Sequence, residues 1–260
     1  MRLFAFCGVF TMAAVTTCVS LADNPNATAL KELAPEGKLR VGVAVAPARS
    51  SLFVVKDASG KLSGVPVDLG SALADRLGVP VEFSEAHNSG ELTDALASGA
   101  IDVTFMPIDD ERRKRVDFGP VYFVSENTYL VPAGSEIKDL ADVDRPEVRV
   151  VGEANTATIR AVSRLLKKAK ITAVSSIEEA LEMLRAGKAD AFALTRQALR
   201  PLASHVPGSR ILEGSFQQLS TAVAVPKNRP NSLAYVTAFM EDAKASGVVQ
   251  RALDNAGIAP

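Results

Sequence analysis

Apolar positions along the chain recur at two spacings, every second residue and every third or fourth, and the switches between them mark out strands and helices. After a polar leader at 23–26 and a short helical stretch over about 27–33, Lys38–Val45 alternates and is rich in Val, which predicts a buried strand. Asp57-Ala58-Ser59-Gly60-Lys61 sits between two short extended runs and predicts a hairpin turn. Val67, Leu69, Ala72, Leu73 and Leu77 fall on one helix face, and Gly78 stands where a C-cap belongs. A strand over 79–83, a helix over about 90–97 and a strand over 101–105 follow. That succession of strand, helix, strand, helix, strand predicts a parallel sheet covered by helices.

The second half repeats the order: strand 149–151, helix 156–168, strand 170–174, helix 177–185, strand 189–194 and a helix from Arg196 to about Ser204. One echo is specific. Leu96-Ala97-Ser98-Gly99-Ala100-Ile101-Asp102-Val103 aligns with Leu184-Arg185-Ala186-Gly187-Lys188-Ala189-Asp190-Ala191. In each, a glycine ends a helix in the left-handed region and the chain turns into a strand with an early Asp. Any helix-to-strand turn can take this form, but two copies in the same setting favour two lobes of similar build. Asn127–Val131 and Thr221–Val225 are extended runs that end at Pro132 and Pro226, as suits strands carrying the chain to a second lobe and back. Two closing helices, over about 231–245 and 247–256, would cover the first lobe. The expected fold class is α/β, with parallel-rich sheets flanked by helices. Residues 37–127 and 224–260 form the expected first lobe and 128–223 the second, joined by two hinge strands.

The N-terminus follows a different pattern. Met1 and Arg2 precede an apolar, small-residue run from Leu3 to Val19, and Ser20-Leu21-Ala22 places small side chains before a cut. Residues 1–22 are therefore expected to be a cleaved secretory signal rather than a membrane anchor. Cys7 and Cys18 both fall inside it, so the mature chain is expected to have no disulfide, thiol nucleophile or thiolate metal site. With 29 basic and 30 acidic residues the net charge is −1, which gives no overall attraction to nucleic acid, and any charge-based recognition must be local. Trp is absent and aromatics make up 5 %, which leaves little for stacking platforms.

The stretch Gly60-Lys61-Leu62-Ser63-Gly64-Val65-Pro66-Val67-Asp68-Leu69, then Ala72-Leu73-Ala74 and Leu77-Gly78, resembles the opening of the bacterial extracellular solute-binding proteins of family 3. These are polar-amino-acid-type receptors of ABC importers. Ala100-Ile101-Asp102-Val103, Glu111-Arg112, Val116-Asp117-Phe118, Pro120, Tyr122, Gly187-Lys188-Ala189-Asp190-Ala191 and Ala224-Val225-Pro226-Lys227 continue the similarity in order. The resemblance implies two lobes of the type II periplasmic binding fold that close over a small solute. It also implies a freestanding monomer, an ABC permease in the inner membrane as partner, and no cofactor.

The resemblance places Arg112 as the fork to a ligand carboxylate, a task suited to a guanidinium because its paired donors match two oxygens. Its neighbours Arg113, Lys114 and Arg115 are expected to be solvated. The approach, Phe105-Met106-Pro107-Ile108-Asp109-Asp110, departs from the small and hydroxyl residues of relatives and is two residues shorter, so Met106 and Pro107 would give a more apolar cleft floor, or Phe105 and Met106 simply finish a core strand. Where relatives carry Gly-Thr-Thr at a helix start, this chain has Glu153-Ala154-Asn155-Thr156-Ala157-Thr158. Asn155, Thr156 and Ala157 are placed to cap that helix or to meet the solute there. Thr195 stands where amino-acid-binding relatives have an aspartate for the ligand's ammonium. Threonine supplies no charge, so the solute need not be a standard α-amino acid and is expected to be a carboxylate or another small anion, unless Asp109, Asp110 or Glu153 replaces the missing charge and keeps an amino-acid ligand open. Phe53 matches a packing or covering position, and Arg49 in the longer loop before it is either a second cation at the cleft mouth or an exposed charge.

Catalysis has weaker support. His87 and His205 accompany no nucleophile elbow or metal pattern. Some proteins resembling the family are cyclohexadienyl-dehydratase-like lyases, in which Glu153 or Asp109 would be the acid. The expected function is a periplasmic receptor, not an enzyme.

Overall fold

The structure, a computed structural model, describes residues 25–46, 50 and 52–258. The leader at 1–22 and Arg49 lie outside the described residues. The first half contains α1 (Pro25–Leu33), β1 (Leu39–Val45), β2 (Phe53–Lys56), β3 (Leu62–Ser63), α2 (Val65–Leu77), β4 (Val81–Ala86), α3 (Ser89–Ser98), β5 (Val103–Pro107), the single-turn α4 (Asp110–Arg113) and the long β6 (Val116–Val131). The second half contains β7 (Arg149–Glu153), α5 (Ala157–Leu165), β8 (Lys170–Val174), α6 (Ile177–Arg185), β9 (Ala191–Thr195), α7 (Arg196–Leu202), β10 (Arg210–Ile211), β11 (Gln217–Pro226), α8 (Pro230–Ala245) and α9 (Val248–Asn255).

Hydrogen-bonded neighbours run β3-β2-β1-β5-β11-β6-β9-β7-β8, with β4 on β1 and β10 on β6. Within each lobe the longer strands pair in parallel, β1 with β2, β4 and β5, and β7 with β8 and β9, while the short β3 pairs antiparallel with β2 across the turn at 57–61. The antiparallel pair β6 and β11 stands between these groups, joined to β5 on one side and to β9 on the other. These are the two hinge strands. β6 extends well before the run 127–131 read from sequence, because Gly119-Pro120 interrupts its pattern without ending the strand. Its register with β11 shifts between Thr221 and Ala224, which lets the pair bend while staying connected.

Two apolar clusters serve one lobe each. Leu39, Val41, Leu69 and Leu73 meet Val236 and Met240 of α8 in the first, which explains why the last helices return to it. Tyr129, Val150, Val162 and Ala193 centre the second. A further cluster crosses between them: Phe53, Leu92, Leu96 and Met106 from the first lobe pack in one group with Ile177, Leu181 and Phe192 of the second. The lobes are thus apposed.

The repeated sequence motif has a structural counterpart. Gly99 and Gly187 both adopt left-handed backbone, with φ of 77° and 64°. Asp102 accepts the Arg40 backbone N–H and grips its guanidinium through both oxygens, and Asp190 does the same to Arg149. Each lobe therefore clamps the start of its first strand to the turn before its last parallel strand.

Candidate functional site between the lobes

Where β5 ends, Asp109 turns the chain by accepting the Arg112 backbone N–H at 2.9 Å, capping α4. The tight turn sends Arg112 back beneath the lobe, where it is 2 % exposed. Its Nη1 donates to the Pro107 carbonyl at 2.8 Å and Nη2 to Ser89 Oγ at 2.6 Å. Nη2 also reaches across the lobes to the Asn155 carbonyl at 3.3 Å, and Nε lies 3.6 Å from the Asp109 carboxylate. Burial pushes the guanidinium down to about 10, with Asp109 opposing the fall, so it remains charged at neutral pH.

Arg160 of α5 pairs with the same Asp109 from the second lobe. Burial works against ionisation of Asp109, but the Arg112 amide and the Arg160 guanidinium together hold its carboxyl below the ordinary range. Two guanidiniums against one carboxylate leave this cross-lobe cluster with a single net positive charge. A cavity of 290 Å³ opens beside it, lined by Gly90, Thr93, Asp94, Arg112, Asn155 and Arg160 among others. Gly90 is required at this contact: a Cβ there would lie 2.5 Å from Asn155 Cβ and 2.9 Å from its carbonyl oxygen.

The start of α5 faces the same seam. Asn155 takes left-handed backbone at φ 59°, a conformation asparagine tolerates better than most side chains. Thr156 accepts the Ile159 N–H at 3.3 Å and donates to the Glu153 carbonyl at 2.7 Å, so its hydroxyl serves the helix cap. Ala157 is the first helical residue and is buried. Of the first-turn amides, that of Ile159 is taken by this cap, and those of Ala157 and Thr158 have no intrahelical acceptor.

Glu153 ends β7 and is 3 % exposed. Its Oε2 has no hydrogen-bond partner among the described residues. Burial, with Glu91 nearby, pushes its carboxyl up to about 8. It lines a smaller cavity, 90 Å³, with Val45, Ala46, His87, Ser176, Ile177 and Glu178.

The remaining sequence candidates lie elsewhere. Thr195 ends β9, opposite Asn127 in the hinge, and caps α7 by accepting the Ala198 N–H at 3.4 Å. Met106 and Phe53 are packed into the apolar cluster between the lobes, with Met106 Sδ accepting from Thr93 Oγ1 at 3.5 Å. Thus Arg112, Pro107, Asn155 and Asp109 meet at one point, with Thr156, Ala157 and Glu153 along the adjoining turn. Sequence reasoning missed Ser89 and Arg160. Ser89 reads as an ordinary helix-start residue after the Asn88 cap, and Arg160 as a charge on the polar face of α5. No local pattern shows that either meets a residue far along the chain.

Among the described residues no group of three or more His, Cys, Asp or Glu is placed to hold a metal ion, and no helix is long and apolar enough to cross a membrane.

The chain is similar to known proteins over most of its length. The glutamine-binding protein of Geobacillus stearothermophilus is 26 % identical over 208 residues, covering 78 % of each chain. The L-cystine-binding protein of Escherichia coli (strain K12) is 27 % identical over 254 residues, covering 95 % of this chain and 92 % of that one. An ancestral amino acid-binding protein, described as a precursor of cyclohexadienyl dehydratase, superposes with a TM-score of 0.75 at 30 % identity, over 86 % of this chain and 97 % of its own. The curated relatives named here are binding proteins, not enzymes. The family model for bacterial extracellular solute-binding proteins, family 3, matches residues 39–255, and the chain belongs to that family.

Proposed function

We propose that this protein is the periplasmic receptor of an ABC importer, delivering a small carboxylate-bearing, amino-acid-like solute to its permease. Residues 37–127 with 224–260 form one lobe in this reading and 128–223 the other, and residues 1–22 are the export signal. The observation that carries it is the buried Arg112 guanidinium at the lobe seam, in a cluster with a net positive charge. Ser89 and Pro107 hold two of its edges, and the long 3.3 Å contact to the Asn155 carbonyl is the weakest of the set. A solute carboxylate replaces that carbonyl and meets the first-turn amides of α5 at the same time. Contacts to both lobes exist only when the lobes are together, so binding shifts the hinge equilibrium toward closure and offers the permease the closed pair of faces.

Isothermal titration of a panel of amino acids and dicarboxylates, on the parent and on Arg112→Lys and Arg112→Ala, tests the assignment. A compact ammonium cannot satisfy the same fork, so Arg112→Lys is expected to weaken binding at least tenfold and Arg112→Ala further. Unchanged affinity in a folded Arg112→Lys protein removes Arg112 from the site.

A further inference from the structure

Asp109 faces two guanidiniums, one from each lobe, through a single oxygen. Its Oδ1 accepts the Arg112 backbone N–H at 2.9 Å, while Oδ2 lies 3.6 Å from Arg112 Nε and accepts from Arg160 Nη2. The two partners differ in origin. Arg112 stands three residues from Asp109 in the same turn of the first lobe, so their proximity is built into the chain and does not depend on closure. Arg160 sits on α5 of the second lobe and reaches Oδ2 only when the lobes are together. The acids lining the adjoining cavity have partners of their own, Asp94 in Arg115 and Glu111 in Lys114, each at 2.7 Å. Asp109 therefore answers to Arg112 alone in the open form and to both guanidiniums in the closed form.

We infer that Arg160 is a positioning residue that switches on the anion grip of Arg112: on closure it takes over the Asp109 carboxylate, which in the open form neutralises Arg112. The inference rests on the receptor reading and adds a condition to it, that the carboxylate site gains its net charge from the lobe that does not carry Arg112. In the open first lobe, one carboxylate against one guanidinium leaves no surplus charge for the acid group of a solute. With Arg160 in place the count is two against one. The seam magnifies the difference, because Arg112 is 2 % exposed and the Asp109 side chain 10 %, and charges interact more strongly away from water. The 3.6 Å between Oδ2 and Arg112 Nε exceeds a hydrogen bond, as suits an oxygen committed to Arg160. A solute entering the open cleft thus meets its full cation only as the lobes shut, which ties recognition of the acid group to closure. A plain tie between the lobes would use the same contact, but the two roles differ in sign at Asp109: a tie loses strength when that charge is removed, and the switch loses its inhibitor.

Isothermal titrations of L-glutamine, L-arginine and glutarate at pH 7 and low ionic strength compare the parent with Arg160→Gln, Asp109→Asn and the two substitutions together. At least one probe is expected to bind the parent. Arg160→Gln is expected to weaken that probe about tenfold or more, and Arg160→Lys, which keeps the charge, to recover most of the loss. Asp109→Asn keeps the α4 cap, because its amide oxygen accepts the Arg112 N–H, and removes the competing charge. It is expected to tighten binding by about threefold or more. The double variant has the charge count of the parent and is expected to return close to parent affinity. Weaker or unchanged binding in Asp109→Asn, or a double variant no better than Arg160→Gln, makes the pair a mechanical tie and overturns the switch. Unchanged affinity in Arg160→Gln overturns it as well. If Arg112→Ala still abolishes binding in that case, the receptor reading stands without the switch. Binding of no probe by the parent overturns both.

Discussion

Ionising Glu153 costs the fold stability, and the sign of that cost can be followed in the unliganded protein. Its folded carboxyl titrates near 8 against an ordinary 4.5, because burial and Glu91 disfavour the anion. Between those values the unfolded chain has lost the proton and the native chain keeps it. The native state therefore binds more protons, and stability falls as pH rises through this window, by up to about 1.4 kcal/mol per pH unit, then levels above about 8. Other carboxyls with a clear shift, including Asp109, Glu32 and Asp190, are lowered, so their contribution is lost on the acid side instead. Thermal melts at half-unit steps from pH 5 to 9 are expected to show this decline in the parent and a nearly flat line for Glu153→Gln. A matching slope in both proteins would show that the fold satisfies this acid by itself. The sequence offers Glu153 as an acid near a helix start that could replace the charge missing at Thr195 or serve as the acid of a lyase, but it does not display the burial. Its isolation depends on Ala46, Ile177 and the acidic residues gathered from three separate elements, which no window along the chain displays.

The paired arginine–aspartate clamps connect motif to architecture in a way that separates the two lobes energetically. Asp102 is 1 % exposed in its side chain and Asp190 32 %, although their hydrogen bonds to Arg40 and Arg149 match bond for bond. Removing Asp102 leaves a partly buried guanidinium and the Arg40 amide without their acceptor, so Asp102→Ala is expected to cost about 3 kcal/mol. Asp190→Ala, whose partner is reached by water, is expected to cost about 1 kcal/mol. Urea unfolding of both variants gives the comparison, and equal losses would mean that exposure does not govern these clamps. Periodicity placed β8 and α6 correctly to the residue, because their hydrophobic faces and the Ser176 cap are local signals. It failed at the end of α5, expected to run to Lys168. The helix stops at Leu165 because Leu166 turns extended and the Asp144 carboxylate accepts the amides of Lys167, Lys168 and Ala169. That acid lies more than twenty residues upstream, and the competing hydrogen bonds it offers are tertiary. The single turn α4 was missed for a related reason: four residues give no periodicity, and only the cap geometry of Asp109 reveals it.

Closure of the whole molecule depends on contacts that the two lobes make only with each other. Those contacts are the apolar cluster shared by Leu92, Met106, Ile177 and Phe192, the Asp109–Arg160 pair, and the place where Gly90 lies against Asn155. The last admits a selective perturbation. Gly90 lies in the first turn of α3, where the helix preference of alanine over glycine, about 1 kcal/mol, is set against a Cβ that would fall 2.9 Å from the Asn88 Oδ1 capping the same helix. The added Cβ also falls 2.5 Å from Asn155 Cβ, a separation that backbone on both sides prevents from relaxing without moving the lobes. The same substitution should therefore leave the unfolding temperature little changed while shifting the hinge toward the open form. Small-angle scattering is expected to show a larger radius of gyration than the parent under saturating solute. Titration is expected to show at least tenfold weaker binding, since affinity falls with the fraction of molecules able to close. An intact scattering profile and intact affinity would place the working contact of the closed state somewhere other than this seam, and would remove the Asn155 carbonyl as the group that a solute carboxylate displaces from Arg112. The two readouts are linked by one cause, so a loss of affinity without opening would point to a direct contact of Gly90 with the solute instead.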